Sequence, residues 1–580
     1  MSKLNKIFQS IPVPIPDRSG FDLSHEVLTT ATTGTVVPIT HIEVLPGDTI
    51  SMGSMMKVTL PPFAVPFMGR IDAELTAAFI PNRLLWNGWQ SFITQNNGVN
   101  VAGAQPPFRN IHGELVPQIG PDISNVPIRV PTIDPYANYS QCQTLGLIGP
   151  GSLANYLGVK LSPSTDPSVV AQSGSINALP FLAYHKFMDD WCRDENNMKP
   201  YFPKMFDPSP YTPSGTPEYS YDQYPNPHLL PYVSNRWRDG STMDNYRFTL
   251  DATSTTYVES DGITPSPNWP YDSTLYLGSL RQRCWSKDYF TTATTRPQAG
   301  ADSQVLFDVT SQTDPNTGDI LGSGGFTIAT LRSANSLQKW LERNSIGGTE
   351  YGSQILAHFG VTPPDTVLNR SLLLGSVRTP VVISSVENTS NAEASNTLNP
   401  YGSTLGTAAG FGSGFDKGNL VDNFTAKEHG YIMVFFTLIP HQYYNTGFDR
   451  SLLHLYVGDY AWPEFAGIGD QEIYNAELTT NPNVFPTGTW GYQQRYVEYK
   501  HKLDSITGLL MDGYNLAPYA LQRGFNTLPD LGKEFLEIPT NYLDQVLGVS
   551  TEVGGFGCIV DAYFDTKAVR VLPEYSLPHL

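Results

Sequence analysis

TVVPITHIEV (Thr35–Val44), the turn PGD (Pro46–Asp48), TISMGSMMKVTL (Thr49–Leu60) and, past a Pro-rich break, RIDAELTAAFI (Arg70–Ile80) read as three consecutive strands. In the last of these Ile71, Ala73, Leu75, Ala77 and Phe79 fall on one face, opposite Asp72, Glu74 and Thr76. A period of two with that polarity means one buried face and one wetter face. Beta segments return late, at YIMVFFTLI (Tyr431–Ile439), RYVEY (Arg495–Tyr499), IVDAYFD (Ile559–Asp565) and KAVRVLP (Lys567–Pro573). YIMVFFTLI has no polar alternation and suits a strand buried on both faces. Strands near both ends of the chain, with a long excursion between them, predict that the first and last segments pair. An eight-stranded antiparallel jelly-roll barrel, mainly β with long loop insertions and a few short α-helices, meets that requirement because its connections bring distant strands side by side.

Three helices interrupt the strands. After Asn82, a good N-cap, RLLWNGWQSFI sets Leu85, Trp86, Trp89 and Ile93 along one stripe. NALPFLAYHKFMDDWCRDEN has Asn177 as N-cap, Pro180 in the first turn, and Leu179, Ala183, Phe187 and Trp191 at four-residue spacing. TLRSANSLQKWLERNSIGG aligns Leu331, Ala334, Leu337 and Trp340 or Leu341, then stops at Gly347 and Gly348. Trp86, Trp89, Trp191 and Trp340 are therefore expected as core or interface anchors. Residues 1–580 read as one subunit. Within it, 199–277 holds 12 Pro and 10 Tyr, which disfavours helix and central strand and marks an exposed insertion. Residues 94–175 are the runner-up. The Gly/Ser/Ala/Thr-rich stretch Asn388–Gly414 reads as an extended or mobile loop whose glycines let neighbouring backbone approach.

Composition limits the function. Charged residues are 15% of the chain, apolar residues 40%, Gly and Pro number 50 and 47, and Tyr 31. Enough apolar side chain is present to bury a large core. A weakly charged, aromatic surface suits protein contacts, where Lys and Glu are depleted. A net charge of −19 argues against coating nucleic acid unaided, because phosphate binding draws on Lys and Arg. Neither a secretory signal nor a membrane-spanning run is recognisable. Cys142, Cys192, Cys284 and Cys558 lie far apart without C-x-x-C spacing, as expected for reduced thiols.

Catalytic patterns are weak. HEVLT (His25–Thr29) lacks the second histidine that a zinc helix needs. AGFGSGF (Ala409–Phe415) is Gly-rich, yet no Gly-Lys-Ser/Thr follows it to hold a phosphate, so it reads as a flexible loop. The acid pairs Asp189/Asp190 and Asp194/Glu195 read as a solvated helix face. No catalytic residue, cofactor or metal ligand is assigned.

Nine ordered blocks carry a family resemblance. They are RSGFDLSHE (Arg18–Glu26), VLPGD (Val44–Asp48), FIPNRLLWNGW (Phe79–Trp89), LPFLAYHKFMDDWCRDEN (Leu179–Asn196), SKDYFTTATTRPQAG (Ser286–Gly300), the run from Leu331 to Asp365, EHG (Glu428–Gly430), GYQQRYVEYKHKLDSITG (Gly491–Gly508) and FDTKAVRVLPEYSLP (Phe564–Pro578). In this order they resemble the major capsid proteins of the microviruses, small single-stranded DNA bacteriophages, and particularly the gokushovirus branch. The chain departs from that pattern in carrying its Tyr/Pro-rich insertion directly after DWCRDEN. The resemblance implies a jelly-roll subunit that associates through pentamers into a sixty-copy T=1 icosahedral shell around circular single-stranded DNA. It also implies assembly in the cytoplasm of a bacterial host, residence in the virion, and exposed loops that contribute to binding a host surface receptor, without membrane insertion.

Electrostatics adds a partner. Sixty copies at −19 put on the order of −1,100 formal charges around a polyanion. A small basic internal DNA-binding protein is the expected counterweight, with Lys3 and Lys6 as DNA-facing contributors. The competing reading is a carbohydrate-binding or carbohydrate-cleaving β protein, in which the Trp and Tyr side chains stack on sugar rings.

Overall fold

Among the described residues, ten strands and the short strand Arg281–Gln282 make two antiparallel sheets. The strands are β1 (Ser19–Asp22), β2 (His25–Ala31), β3 (Thr35–Val44), β4 (Thr49–Thr59), β5 (Ile71–Pro81), β6 (Leu372–Pro380), β7 (Val382–Glu387), β8 (Ala408–Thr425), β9 (Gly430–Pro440) and β10 (Cys558–Arg570). The computed structural model describes residues 18–86 apart from 64 and 67, short pieces between 89 and 135, then 139–160, 176–201, 247–251, 276–297, short pieces between 312 and 343, 351–362, 369–387, 408–481, 488–547 and 557–574. One sheet runs β1-β10-β4-β8-β7, with β2 also on β10; the other runs from the short strand Arg281–Gln282 through β3, β9 and β5 to β6. The first and last strands pair as expected, Ser19 opposite Arg570 and His25 opposite Phe564. Consecutive strands lie in opposite sheets at β3→β4→β5, β6→β7 and β8→β9. The PGD turn makes one such corner: Gly47 adopts φ +91°, and the buried Asp48 accepts the Leu45 amide at 3.0 Å.

The facing sheets enclose one apolar core. Val37, Met52, Met56, Val58, Ile71, Leu75, Val434, Phe436, Val560 and Phe564 meet there. At roughly 25 cal/mol per Å2 of apolar surface removed from water, each such side chain contributes about 1.5–3 kcal/mol. The opposite side of β5 is drier than the alternation predicts. Asp72 is buried between Arg70 at 3.0 Å and Arg378 at 2.7 Å, and Glu74 binds Arg283 at 2.9 Å, so guanidinium groups roof the polar face.

β9 is buried along its whole length. Its second face is covered by helix α1 (Leu179–Phe187): Phe187 stacks on Phe435 with centroids 3.8 Å apart, and the Tyr184 hydroxyl donates to the Val36 carbonyl at 2.9 Å. Asn177 sits just upstream of the cap position and still accepts the Leu179 amide at 2.9 Å. Beyond Phe187 the helix widens into the π turn Met188–Cys192.

Several expectations are corrected. Asn82 is inside a one-turn helix capped by Pro81, because the strand runs on to residue 81 and leaves no extended residue after it. The stripe after it splits: Trp86 is fully buried, whereas Ile93 is exposed. In the third helical pattern Leu337 is exposed, and Leu331, Ala334 and Leu341 lie outside the described residues. AGFGSGF is part of strand β8 and not a loop. Its glycines serve packing: a Cβ on Gly412 would come 2.8 Å from the Leu60 side chain. RYVEY is not a strand. The strand ends at Gln493, Tyr496 turns left-handed with φ 62°, and Val497–Tyr499 is a 3-10 turn. Most of 199–277, much of 94–175, and 388–407 lie outside the described residues. Of the runner-up segment, Leu147, Leu153 and Leu157 join the core beside α1.

Two imidazoles are held neutral by the fold. Burial lowers His41, and burial together with the Arg281 guanidinium lowers His185 well below the usual range. The Arg281 Nε–H donates to His185 Nδ1 at 3.2 Å, so Nε2 carries the proton that faces the Leu277 carbonyl at 2.8 Å. Below about pH 6.5 the unfolded chain binds protons that these folded rings refuse. Their stabilisation is therefore complete above that pH and is lost as pH falls, by up to about 1.4 kcal/mol per pH unit for each ring. Urea unfolding at pH 7.5, 6.0 and 5.0 should show a shallower acid loss for His185→Gln than for the unaltered chain; equal slopes would contradict the assignment.

Candidate functional site: an apolar arm on buried ion pairs

After Pro440 the chain leaves its sheet, and among the described residues it joins neither large sheet again until Cys558, which opens β10 in the facing sheet. In this stretch the sequence HQYYNTGFDRSLLHLYVGDYAWPEFAGIGD (His441–Asp470) has many large apolar residues but neither a helical nor a strand period. It folds as short 3-10 turns, Arg450–Leu453, Val457–Asp459 and Pro463–Phe465, strung into an arm.

Local hydrogen bonds satisfy much of the arm's backbone and leave hydrocarbon outside. Asp449 accepts the Ser451 amide at 3.0 Å, Asp459 accepts the Leu455 and Tyr456 amides at 2.8 and 2.7 Å, and the Trp462 indole donates to the Val457 carbonyl at 3.0 Å. Leu452, Leu455, Tyr456 and Val457 are each more than two-thirds exposed, and Tyr460, Trp462, Phe465 and Ile468 are 45–59% exposed. The neighbouring stretch adds Tyr499, Leu509, Tyr514 and Leu516. His454 stacks on Tyr499 with centroids 6.2 Å apart, which joins the two stretches into one surface.

The arm is rooted in buried charge. Arg450 donates to Glu477 at 2.7 Å and to the Glu472 carbonyl at 2.7 Å, and the Tyr289 hydroxyl donates to the other Glu477 oxygen at 2.7 Å. Burial raises the Glu477 carboxyl against the pull of Arg450. Asp449 pairs with Lys502, and that hydrogen bond helps to hold its carboxyl down at about 2. Gly447, at φ +92°, lets the arm pass the Glu477 carbonyl, which a Cβ would meet at 2.0 Å.

A second hub sits beneath. Asp288 accepts the Phe290 and Thr291 amides at 3.0 and 2.8 Å, the Tyr444 hydroxyl at 2.8 Å and the Gln442 side chain at 2.5 Å. Arg523 donates to Gln442 at 2.7 Å and to the Phe535 carbonyl, with its guanidinium 4.1 Å above the Phe535 ring. A cavity of about 410 Å3 opens at the arm's base, where Phe448, Leu503, Ile506 and Met511 line it. Another of about 460 Å3 lies between the arm's far end and the strand Thr489–Gln493.

The residues singled out in the sequence are dispersed. Trp86 is in the core, and Trp89 is half-buried with its ring 5.5 Å from His429. Trp191 is partly exposed, donates to Ser371 Oγ at 3.0 Å and lies 3.8 Å beneath the Arg370 guanidinium. Trp340 is 52% exposed and stacks on His358. Lys3 and Lys6 lie outside the described residues.

The acid pairs do not form a solvated face. Asp190 binds Lys186 at 2.7 Å and the Ser371 amide at 2.8 Å, while the buried Asp194 pairs with Lys287 and accepts the Asn196 and Asn197 amides. Asp190 lies in the π turn and Asp194 just beyond it, and each meets a partner from another segment, Ser371 and Lys287. His25 lies in β2, hydrogen-bonded to Thr40 at 2.9 Å. The cysteines are free, with burial pushing the Cys142 thiol up to about 11 and the other three to about 12. Among the described residues no three metal-ligating side chains cluster. What this arrangement can do is present a surface. The arm went unnoticed in the sequence; an aperiodic run of Leu, Tyr, Val, Trp and Phe was the signal available.

The family described as Capsid protein (F protein), Phage_F, matches residues 10–118 and 285–580. The chain is 27% identical to Capsid protein VP1 of Chlamydia phage 1, with 100% of this chain and 98% of that protein aligned. It is 27% identical to Capsid protein VP1 of Bdellovibrio phage phiMH2K over 98% of this chain and 97% of that one, and 23% identical to Capsid protein VP1 of Spiroplasma virus 4 over 100% and 99%.

Removing one partner of the buried pair leaves an uncompensated charge. Glu477→Ala should therefore lower the unfolding free energy by roughly 3–5 kcal/mol. The double variant Arg450→Met/Glu477→Met should lose much less. Denaturant titration of the three proteins measures this, and a loss below about 1 kcal/mol for Glu477→Ala would mean that solvent screens the pair.

Proposed function

The chain belongs to the phage Capsid protein (F protein) family and is a structural major capsid protein of the microviruses, and we propose that sixty copies close through pentamers into a T=1 icosahedral shell around circular single-stranded DNA. The carrying observation is exposed apolar surface on three different elements. One is the arm. A second is helix α2 (Tyr351–Phe359), with Leu356 and Phe359 exposed. The third is the outer face of the sheet containing β10, where Leu28, Phe415, Ile559 and Tyr563 point outward. Soluble monomers seldom expose so much, and a shell with five-fold, three-fold and two-fold axes uses several distinct contacts on one chain.

An eight-stranded jelly roll formed by β2–β6 and β8–β10 accounts for the strand orders β2-β10-β4-β8 and β3-β9-β5-β6, with β7 added at an edge. The exposed insertion is assigned to residues 199–277, with 94–175 as runner-up. In support, the family match leaves 119–284 uncovered. Its loops contribute to attachment at a host surface receptor. With a net charge of −19 per copy, a small basic internal protein shares the neutralisation of the genome, and Lys3 and Lys6 face inward toward DNA. Trp191 and Trp340 serve as interface anchors, and assembly takes place in the cytoplasm of a bacterial host. Among the described residues no helix is long and apolar enough to cross a membrane.

Particles purified from a host expressing the viral genes should carry sixty times the 63.9 kDa subunit mass, plus DNA and minor proteins, by native mass measurement. A different copy number would overturn the T=1 reading. Deleting part of 199–277 should leave shells intact while reducing adsorption to host cells at least tenfold. Loss of shells with unchanged adsorption of the residual particles would place attachment elsewhere.

A further inference from the structure

We propose that the arm Arg450–Ile468 and the adjoining stretch 495–516 form one self-complementary contact with a second copy of this chain across a two-fold axis. The inference rests on the assembly reading above and specifies which surface carries it. Area is the first argument. The eight arm residues Leu452, Leu455, Tyr456, Val457, Tyr460, Trp462, Phe465 and Ile468 leave on the order of 1,000 Å2 in water at their observed exposures, against about 800 Å2 per partner in a standard stable interface. Aromatic side chains make up half of the group, the composition of interface centres.

Charge identifies the occupant. From Ser451 to Gln494 the sequence contains no lysine or arginine. A phosphate backbone or an anionic lipid surface gains no counter-ion from this segment. The charges at the arm's root are already answered within the chain, Asp449 by Lys502 and Arg450 by Glu477. On the outer turn Glu464 is exposed, placed to meet a cation of the partner. On the neighbouring stretch Lys500 is exposed beside the exposed Tyr499. The two halves adjoin in one subunit through the His454–Tyr499 stack. A surface with an exposed acid on its apolar arm and an exposed lysine on the adjoining aromatic stretch matches a rotated copy of itself, so each arm covers the other subunit's Tyr499 and Lys500.

The test uses the full chain, measured by analytical ultracentrifugation and electron microscopy with circular dichroism as the fold control. Leu455→Asp replaces a highly exposed side chain and should leave the spectrum and melting curve unchanged, yet cut the assembled fraction at least tenfold. Glu464→Lys and Lys500→Glu should each weaken association, and combining them in one chain should restore it. If Leu455→Asp and both charge variants assemble like the unaltered chain, or if the arm instead drives flotation with anionic vesicles while assembly persists, the inference is overturned. If the unaltered chain forms a concentration-dependent dimer abolished by Leu455→Asp but no sixty-copy particle, the contact stands and the T=1 reading falls.

Discussion

The whole molecule is organised by one strand that can touch no water. β9 is apolar on both faces, so each face requires a complete cover. The facing sheet supplies one cover through Met52, Met56 and Val58, and α1 supplies the other through Phe187 on Phe435. The excursion between β5 and β6 therefore has a structural duty: part of it must return to roof β9. His185, Tyr184 and Arg281 are pinned at that roof, which is why an imidazole there is kept neutral.

Segments without a ladder meet a different constraint. Their backbone has no regular partners, and order comes from polar hubs sealed under aromatic rings. Asp288 gathers amides from its own turn and side chains from residues 442 and 444. Arg523 clamps the same group and sits over the Phe535 ring. Arg450 and Glu477 repeat the device at the root of the arm. Buried ion pairs are poor sources of net stability, but one left unpaired is costly, so they define a single arrangement of otherwise aperiodic chain. That rigidity lets Leu455, Tyr456 and Val457 stay outside as a prepared surface and not collapse inward. A contact built from preorganised side chains loses less entropy on association.

The two large sheets were legible because a period of two survives in the residues themselves. The pairing of the chain's two ends followed from where the strands fall, and Gly430–Pro440 from its unbroken hydrophobicity. Reading failed where local pattern and environment disagree. AGFGSGF looks like a loop, yet Gly412 is needed because Leu60 occupies the space of a Cβ. RYVEY has β-forming residues, but Gln471 accepts the Tyr496 amide and turns the chain out of the strand. Asp190 and Asp194 sit at positions that look solvated until Ser371 and Lys287 arrive from distant segments.

By itself the sequence determined a mainly antiparallel β architecture and the family to which the chain belongs, because strand periodicity and ordered blocks are local properties of the polymer. Only the tertiary structure decided which apolar residues remain outside. Leu452–Val457 and YIMVFF are comparably hydrophobic, and the difference between an exposed contact surface and a doubly buried strand comes from which distant segments fold over them.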